Sequence, residues 1–339
     1  MAYMTTTTAP LTPALEIQYN RNLLETARRE QILTYFAETK SVKVRSNSTK
    51  VKQRRYFNVL PATVPLAEFD GTNYKAPNKI KYEEVEYGVN FYGDYIMTND
   101  RLPLLDFHDV KRDYLDILGY QAAETVETIR LNELLAGTNV VFAEQKATRN
   151  EVASSGAKAT KQDLRIMALK LKRQRAKKWT TITKGDTKIG TTPIGAAYPL
   201  ICSTELADYF CNLPEAKTIE QYAGQTMLLP GEVCKIGEFR IIDFSLIEPV
   251  DVNGKNVHFG VALGKGSFAT TKMDSKGEIE TIVHDPGSAG AGDPLNLKGS
   301  IGWKAIAGAA ILNQAHVCRL ESTVDLEDNT PLHFYDYSK

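Results

Sequence analysis

Between Asp106 and about Leu135 the chain carries an unbroken three-to-four spacing of apolar residues: Phe107, Val110, Tyr114, Leu118, Ala122, Val126 and Ile129. That period is the signature of one buried helix face. Asp106 is placed to cap the start and Gly137 to end the helix, while Glu124, Glu127 and Arg130 are expected on the opposite, solvent side. Some 30 residues at 1.5 Å rise give roughly 45 Å of helix, longer than most globular domains need. Such a helix is a structural girder, and Val110, Tyr114, Leu118, Val126 and Ile129 are the core residues by which it should hold its lobe. The remaining sequence must supply layers to cover it. A chain of 339 residues exceeds the roughly 250–300 at which single cores stop growing, so two lobes are expected.

The layers read as strands and shorter helices, which makes the fold α+β. From Lys40 to Arg55 the cations Lys40, Lys43, Arg45, Lys50, Lys52, Arg54 and Arg55 are interrupted by no acid and form no helical stripe, so extended chain is expected. After Pro61–Pro65, Ile80 and Tyr82 alternate with polar residues, and Val85, Tyr87, Val89 and Phe91 do so one residue out of phase. The slip predicts a β-bulge at Glu83-Glu84. Together these runs predict a long hairpin with little core of its own, which needs an adjacent lobe or another subunit as its support. Lys50, Lys52, Arg54 and Arg55 are the candidate intersubunit contacts.

Ahead of the hairpin, Thr12 and Pro13 start a helix with Leu15, Tyr19, Leu23 and Ala27 on one face, packed on its own domain or docked on a neighbour. Behind the girder, Gln145–Ala159 is small and polar and predicts a linker. Thr160 and Asp163 form a capping box for a helix with Leu164, Ala168 and Leu171 inside and Lys161, Arg165, Lys172, Arg173 and Arg175 outside. Ser203 is placed to cap a helix with Leu206, Phe210 and Leu213 inside. Strands are expected over Val233–Ile236, Phe239–Phe244 and Val257–Leu263, and a closing strand pair over Ile301–Leu312 and Val317–Ser322, turning at Asn313.

Composition narrows the chemistry. Lys+Arg and Asp+Glu are both 41, whereas a protein built to wrap nucleic acid is usually basic overall. Neutrality removes the long-range repulsion that opposes dense self-packing. The first residues, Met1 to Ala14, lack a basic cluster followed by an apolar run, so no signal peptide is expected. No run reaches membrane-spanning length, so no membrane contact is expected. Cys202, Cys211, Cys234 and Cys318 show no CxxC spacing and read as reduced thiols. Gly260–Ser267 fails as a phosphate loop, because three rather than four residues separate Gly260 from Gly264, and Gly266 follows Lys265. The five histidines lie at no metal-ligand spacing, and neither GxSxG nor HExxH occurs. No cofactor, metal or catalytic residue is expected, and the chain reads as a non-enzyme. The basic segments 40–55 and 161–178 are solvated charge, contacts to acidic patches on a neighbour, or DNA contacts. Aromatic residues are not interleaved with them, which puts the DNA reading third.

Four segments then resemble one family. LGYQAAETVETIRLNELLAGTNVVFA (Leu118–Ala143) resembles the spine-helix segment of major capsid proteins of podovirus-type tailed double-stranded-DNA bacteriophages. PGSAGAGDPLNLKGSIGWKAIAGAAILNQAHVCRLES (Pro286–Ser322) resembles that family's closing segment more closely, GEVCKIGEFRIIDFS (Gly231–Ser245) its central β-segment, and YNRNLLETARREQILTYFAETK (Tyr19–Lys40) its N-terminal arm. Residues 144–200 match least and are where an insertion would sit. The resemblance implies the Hong-Kong-97-type capsid fold: an N-terminal arm (1–40), an extended β-hairpin loop (41–93), a peripheral domain with the spine helix (94–160), an axial domain (161–300), and return strands with a tail (301–339). It implies self-assembly into pentamers and hexamers of a head shell in the virion, built in the host bacterial cytoplasm. Portal and scaffold or decoration proteins would be partners, with packaged DNA touching the inner surface without sequence preference. The rival reading is a nucleic-acid-binding structural protein using segments 40–55 and 161–178. An enzyme comes third.

Overall fold

The computed structural model describes residues 31–42, 50–57, 59–63, 65, 78–99, 110–180, 195–219, 229–273, 279–284, 286, 295 and 297–324. The expected helix after Thr12, the cap at Asp106, Phe107 and the C-terminal tail lie outside them. In chain order the elements are α1 (Leu33–Phe36), β1 (Glu38–Val42), β2 (Lys50–Tyr56), β3 (Tyr82–Gly88), β4 (Asn90–Asn99), α2 (Val110–Leu135), β5 (Val140–Phe142), α3 (Arg149–Ser155), α4 (Lys161–Arg173), β6 (Tyr198–Cys202), α5 (Thr204–Cys211) and β7 (Lys217–Thr218). They continue with β8 (Glu232–Ile236), β9 (Phe239–Asp243), β10 (Val250–Val252), β11 (Lys255–Leu263), β12 (Phe268–Met273), β13 (Ile279–His284), β14 (Lys298–Ala307), β15 (Ala309–Ile311) and β16 (Val317–Thr323).

The girder is the centre of one lobe. Along α2, Leu115, Leu118, Ala122, Ala123 and Val126 are buried against Ile279, Ile301, Trp303, Ala305 and Ala307 of a three-stranded sheet ordered β13-β14-β4, with Tyr114 and Ile129 partly buried at the margin. Val110 is the first described residue of the helix. Trp303 Nε1 donates to Gln121 Oε1 at 3.0 Å, and Gln121 Nε2 donates to Asp94 Oδ2 at 2.7 Å, which locks the sheet's angle on the helix. Gly93 and Gly302 keep β4 and β14 close. A Cβ at Gly93 would meet the Trp303 carbonyl oxygen at 2.6 Å, and one at Gly302 would meet Tyr95 Cβ at 2.7 Å.

The second lobe is an eight-stranded sheet in which β5-β16-β11-β6-β9-β8-β7 run in that order and β10 pairs with β11. All of β6 and residues 257–263 of β11 are buried, because both faces of the sheet are covered. Leu200, Cys202, Ile241, Cys318 and Leu320 face α4 and α5, with Leu164, Leu171, Leu206 and Phe210. Ile201, Ile242, Val261, Leu263 and Val317 face the other way, toward Leu33, Phe36, Leu131 and Leu134. That second cluster joins the arm, the end of the girder and the sheet. Two-sided burial explains why these strands read as near-continuous apolar runs.

Four expectations are corrected. Glu127 and Arg130, placed on the solvent side of the girder, are buried at 0% and 1% exposure, because residues 31–36 of the arm pack over that face. The closing segment is not a strand pair. It divides among three sheets, with β14 beside the girder, β15 on β12 and β16 between β11 and β5. No bulge sits at Glu83-Glu84, since Arg55↔Glu83 and Arg54↔Glu84 pair in consecutive register. The phase slip arises because both faces of this ribbon carry apolar residues. Residues 145–159 are no linker. Thr148 caps α3, Gly156 closes it in the left-handed region at φ 63°, and Val152 and Ala153 bury against Val257. Gly137 lies just past the end of the girder, as expected, where its N–H donates to the Leu134 carbonyl at 3.2 Å. It is buried, with its Cβ position 3.4 Å from Ile311.

The capping box at Thr160 and Asp163 is present. Ser203 precedes α5 without making a side-chain cap. Its hydroxyl lies 3.1 Å from His258 Nδ1, with Glu205 Oε2 at 3.4 Å from the same nitrogen. The four cysteines are free thiols, three of them buried. Burial pushes Cys318 up to about 11 and Cys202 well above its usual value. Half-buried Cys211 is held low, first by a hydrogen bond from the Cys234 thiol. Thiolate is the reactive form, so Cys211 is expected to react first with iodoacetamide, and the other three only on unfolding. Assembled particles should survive reductant. A ladder of intermolecular disulfides on a non-reducing gel would contradict the expectation that the thiols are reduced and the particles survive reductant.

Candidate intersubunit surfaces

β2 and β3 form a separate two-stranded ribbon whose alternation sorts its charges. Lys52, Arg54 and Tyr56 share one face with Glu86, Glu84 and Tyr82, and Gln53 and Arg55 share the other with Val85 and Glu83. On the outward face Lys52 pairs with Glu86, Arg54 Nε donates to Glu84 Oε1 at 2.7 Å, and the Arg54 guanidinium lies 4.9 Å from the Tyr82 ring centre. The hydrogen bonds that Lys52 and Arg54 donate to Glu86 and Glu84 raise the pKa of both cations, which stay charged. On the inward face Arg55 divides its guanidinium between Glu83 at 2.7 Å and Asn313 Oδ1 of the body at 2.8 Å. Lys50 lies opposite Gly88 at the base.

Lys52, Arg54 and Arg55 of the basic run, unopposed in their own segment, therefore meet acids of the returning strand. The structure brings Lys52, Arg54 and Arg55 together in one ribbon. Tyr87 buries beside Ala269, Ala310 and Leu312 and fastens the base to the body. The far end bares Tyr56, Phe57, Leu60, Ile80 and Tyr82, from 47% to 86% exposed. Isolated apolar residues on a surface are ordinary, but a contiguous group marks an interaction site.

A second apolar surface is the sheet face turned away from the girder. Register places Phe91 beside Ile306, Tyr95 beside Gly302 and Met97 beside Ser300, with Ile282 next to Gly302 on the other side. Phe91, Tyr95 and Met97 are each about three-fifths exposed. Phe91, Tyr95 and Ile282 border a groove of about 440 Å³.

The arm is held by a buried polar anchor. Glu127 Oε2 accepts from the backbone N–H groups of Ile32 (3.1 Å) and Leu33 (2.6 Å), which lie at the start of α1. Arg130 Nη1 donates to Glu127 Oε1 at 2.6 Å and to the Thr34 hydroxyl, and its Nε donates to Thr270 Oγ1 at 3.2 Å. A buried pair with these added bonds holds direction, and removing one partner leaves an uncompensated charge. Arg130→Met is therefore expected to lower unfolding stability by about 3–5 kcal/mol, read from urea titration. A double change, Glu127→Leu with Arg130→Met, should recover much of the loss. Equal loss in both variants would show that packing, not charge, is what Arg130 supplies. Sequence periodicity missed this anchor, and the one available signal was a Glu and an Arg three residues apart on the girder.

Among the described residues no three His, Cys, Asp or Glu side chains are grouped to hold a metal ion. No described helix is long and apolar enough to cross a membrane. Gly264–Ser267 is the turn between β11 and β12, and the Lys265 N–H donates to the Lys177 carbonyl.

No family model matches the chain, and none of the curated proteins does. Solved structures do. The capsid of Ralstonia phage GP4 aligns with a TM-score of 0.65 at 9% identity, over 86% of this chain and 88% of that one. A protein of the cyanophage Pam1 capsid asymmetric unit aligns at 0.57 and 9% identity, over 85% and 88%. The capsid of Helicobacter pylori bacteriophage KHP30 aligns at 0.57 and 12% identity, over 85% and 87%. The chain thus has the α+β fold of these phage capsid proteins, the Hong-Kong-97-type fold.

Proposed function

We propose that the chain is the major capsid protein of a tailed double-stranded-DNA bacteriophage, a subunit that closes into a head shell around the genome. The observation that carries the reading is the fold match, which covers 86% of this chain and 88% of the capsid protein it aligns with. The physical surface agrees with it. A ribbon that bares aromatics at its end and a sheet face that bares Phe91, Tyr95 and Met97 are costly in a monomer, and burying them supplies association energy of roughly 25 cal/mol per Å² of apolar area. Head-to-tail contacts that close by rotation give rings, here of five and six. Many modest contacts per subunit then add through multivalency.

In this reading Lys50, Lys52, Arg54 and Arg55 lie on the part that reaches a neighbour. The arm is 1–40, the extended loop 41–93, the peripheral domain 94–160, the axial domain 161–300, and the closing segment 301–339 returns past the girder. The subunit is a virion component assembled in the bacterial cytoplasm. Portal and scaffold or decoration proteins are its further partners, packaged DNA meets the shell's inner surface, and no step requires a catalytic residue. The pairing of the ribbon's cations with Glu83, Glu84 and Glu86 disfavours the rival reading in which the ribbon exists to bind nucleic acid.

Electron microscopy of the expressed chain tests the proposal. Closed shells or rings of five or six subunits are expected as concentration rises. A chain that stays monomeric at all concentrations, with the apolar sheet face still exposed, would overturn it.

A further inference from the structure

We infer that the outward face of α4 and the turn after it, carrying Arg165, Arg173, Arg175 and Lys177, is the surface that meets the phosphate backbone of duplex DNA. The inference rests on the proposed shell and says which of two basic segments faces the genome. Helical spacing puts Lys161, Arg165, Leu169 and Lys172 on one outward stripe, with Arg173 beside it, and all five are exposed. Among the described residues, two carboxylates pair with cations of this surface. Glu215 pairs with Lys161, and Glu238 is shared by Lys172 and Lys178. Among the described residues, none offers a carboxylate to Arg165, Arg173, Arg175 or Lys177, whereas the ribbon answers Lys52, Arg54 and Arg55 with one glutamate each.

The positive excess continues onto the neighbouring strands. Glu238 sits in the β8–β9 turn, so its two lysines bring the end of α4 against β8. There Lys235 is held below the usual lysine range, first by burial and then by the cations of Arg240, Lys217 and Lys178. A field of one sign built from forked guanidinium groups suits phosphate oxygens. Leu169 is the one apolar residue on the stripe, and no aromatic lies on it to stack unpaired bases. Duplex backbone, not single strands, is therefore the ligand.

The test uses the full chain and a fluorescein-labelled duplex of random sequence, titrated by anisotropy across a sodium chloride series. Each phosphate contact contributes about 0.9 to the slope of log affinity against log salt. R165Q/R173Q/R175Q is expected to lower that slope by about 3 and to weaken binding on the order of tenfold or more, equally for unrelated sequences. R54Q/R55Q should keep the wild-type slope. An unchanged slope in the triple variant, or no salt-dependent duplex binding by wild type, would overturn the assignment. So would capture of polyglutamate without capture of duplex, which would make the patch a docking site for an acidic protein surface. Electron microscopy of the same samples separates the two claims, because missing wild-type shells count against the capsid reading and leave the DNA titration to be judged on its own.

Discussion

Val126→Asp is expected to yield insoluble chain, or soluble chain that forms no closed particle. Val126 has no exposed surface and sits between the girder and the β13-β14-β4 sheet, among Leu118, Ala122, Ile301 and Trp303. Arg130, one turn on, is committed to Glu127, Thr34 and Thr270. An uncompensated buried charge costs about 3–5 kcal/mol, a large part of the roughly 5–15 kcal/mol that holds a domain folded. Val126→Ala, which makes a small cavity without a charge, should remain soluble with reduced stability. The measurement is the soluble fraction, followed by urea unfolding and microscopy. Normal particles from Val126→Asp would show that the girder's inner face is not a core.

Charge reversal on the ribbon, Arg54→Glu with Arg55→Glu, is expected to abolish closed shells while the body melts nearly as in wild type. The reversal sets one new carboxylate opposite Glu84 and another opposite Glu83, so like charges face each other across both pairs. It also removes the Arg55 bond to Asn313, which ties the ribbon to the body. The ribbon should lose its shape before any neighbour is met, and the like charges also slow encounter. The body keeps its cores, since neither arginine belongs to one. Hydrogen exchange supplies the second readout, with residues 50–56 and 82–88 exchanging fast in free subunits and slowly in shells. Equal protection in both states, together with normal shells from the reversed variant, would sink the idea that this ribbon is an intersubunit clasp. A compensating variant that also changes Glu83 and Glu84 to Arg separates the causes. Recovery of shells would assign the loss to the ribbon's own pairing, and continued failure would assign it to a partner that reads the sign of the charge.

Much of the framework follows from local pattern. The girder announces itself because a helix buries every third or fourth residue whatever covers it, and Leu118, Ala122 and Val126 keep that spacing. The capping box at Thr160 and Asp163 and the stop of α5 before Pro214 are equally local, since the groups that satisfy the chain ends lie within one turn. The β2–β3 ribbon is legible as two extended runs. What the sequence alone determines is thus where the backbone is helical or extended and which residues have a local reason to be there.

Tertiary structure decided which polar groups are inside and which strands meet. Glu127 and Arg130 carry charges that belong in water on any local scale, and they are buried because residues 31–36, almost a hundred positions away, bring N–H groups and a hydroxyl for them to bond. The stretch from Ile301 to Ser322 reads as one strand pair because alternation records only that a strand has a buried face. It cannot record whose sheet that face joins, and the chain sends β14, β15 and β16 to three different sheets. The acids answering Lys52, Arg54 and Arg55 lie about 30 residues on. Spacing along a chain carries no distance in space once strands fold back, so register alone makes that basic run a set of ion pairs and leaves the face of α4 charged.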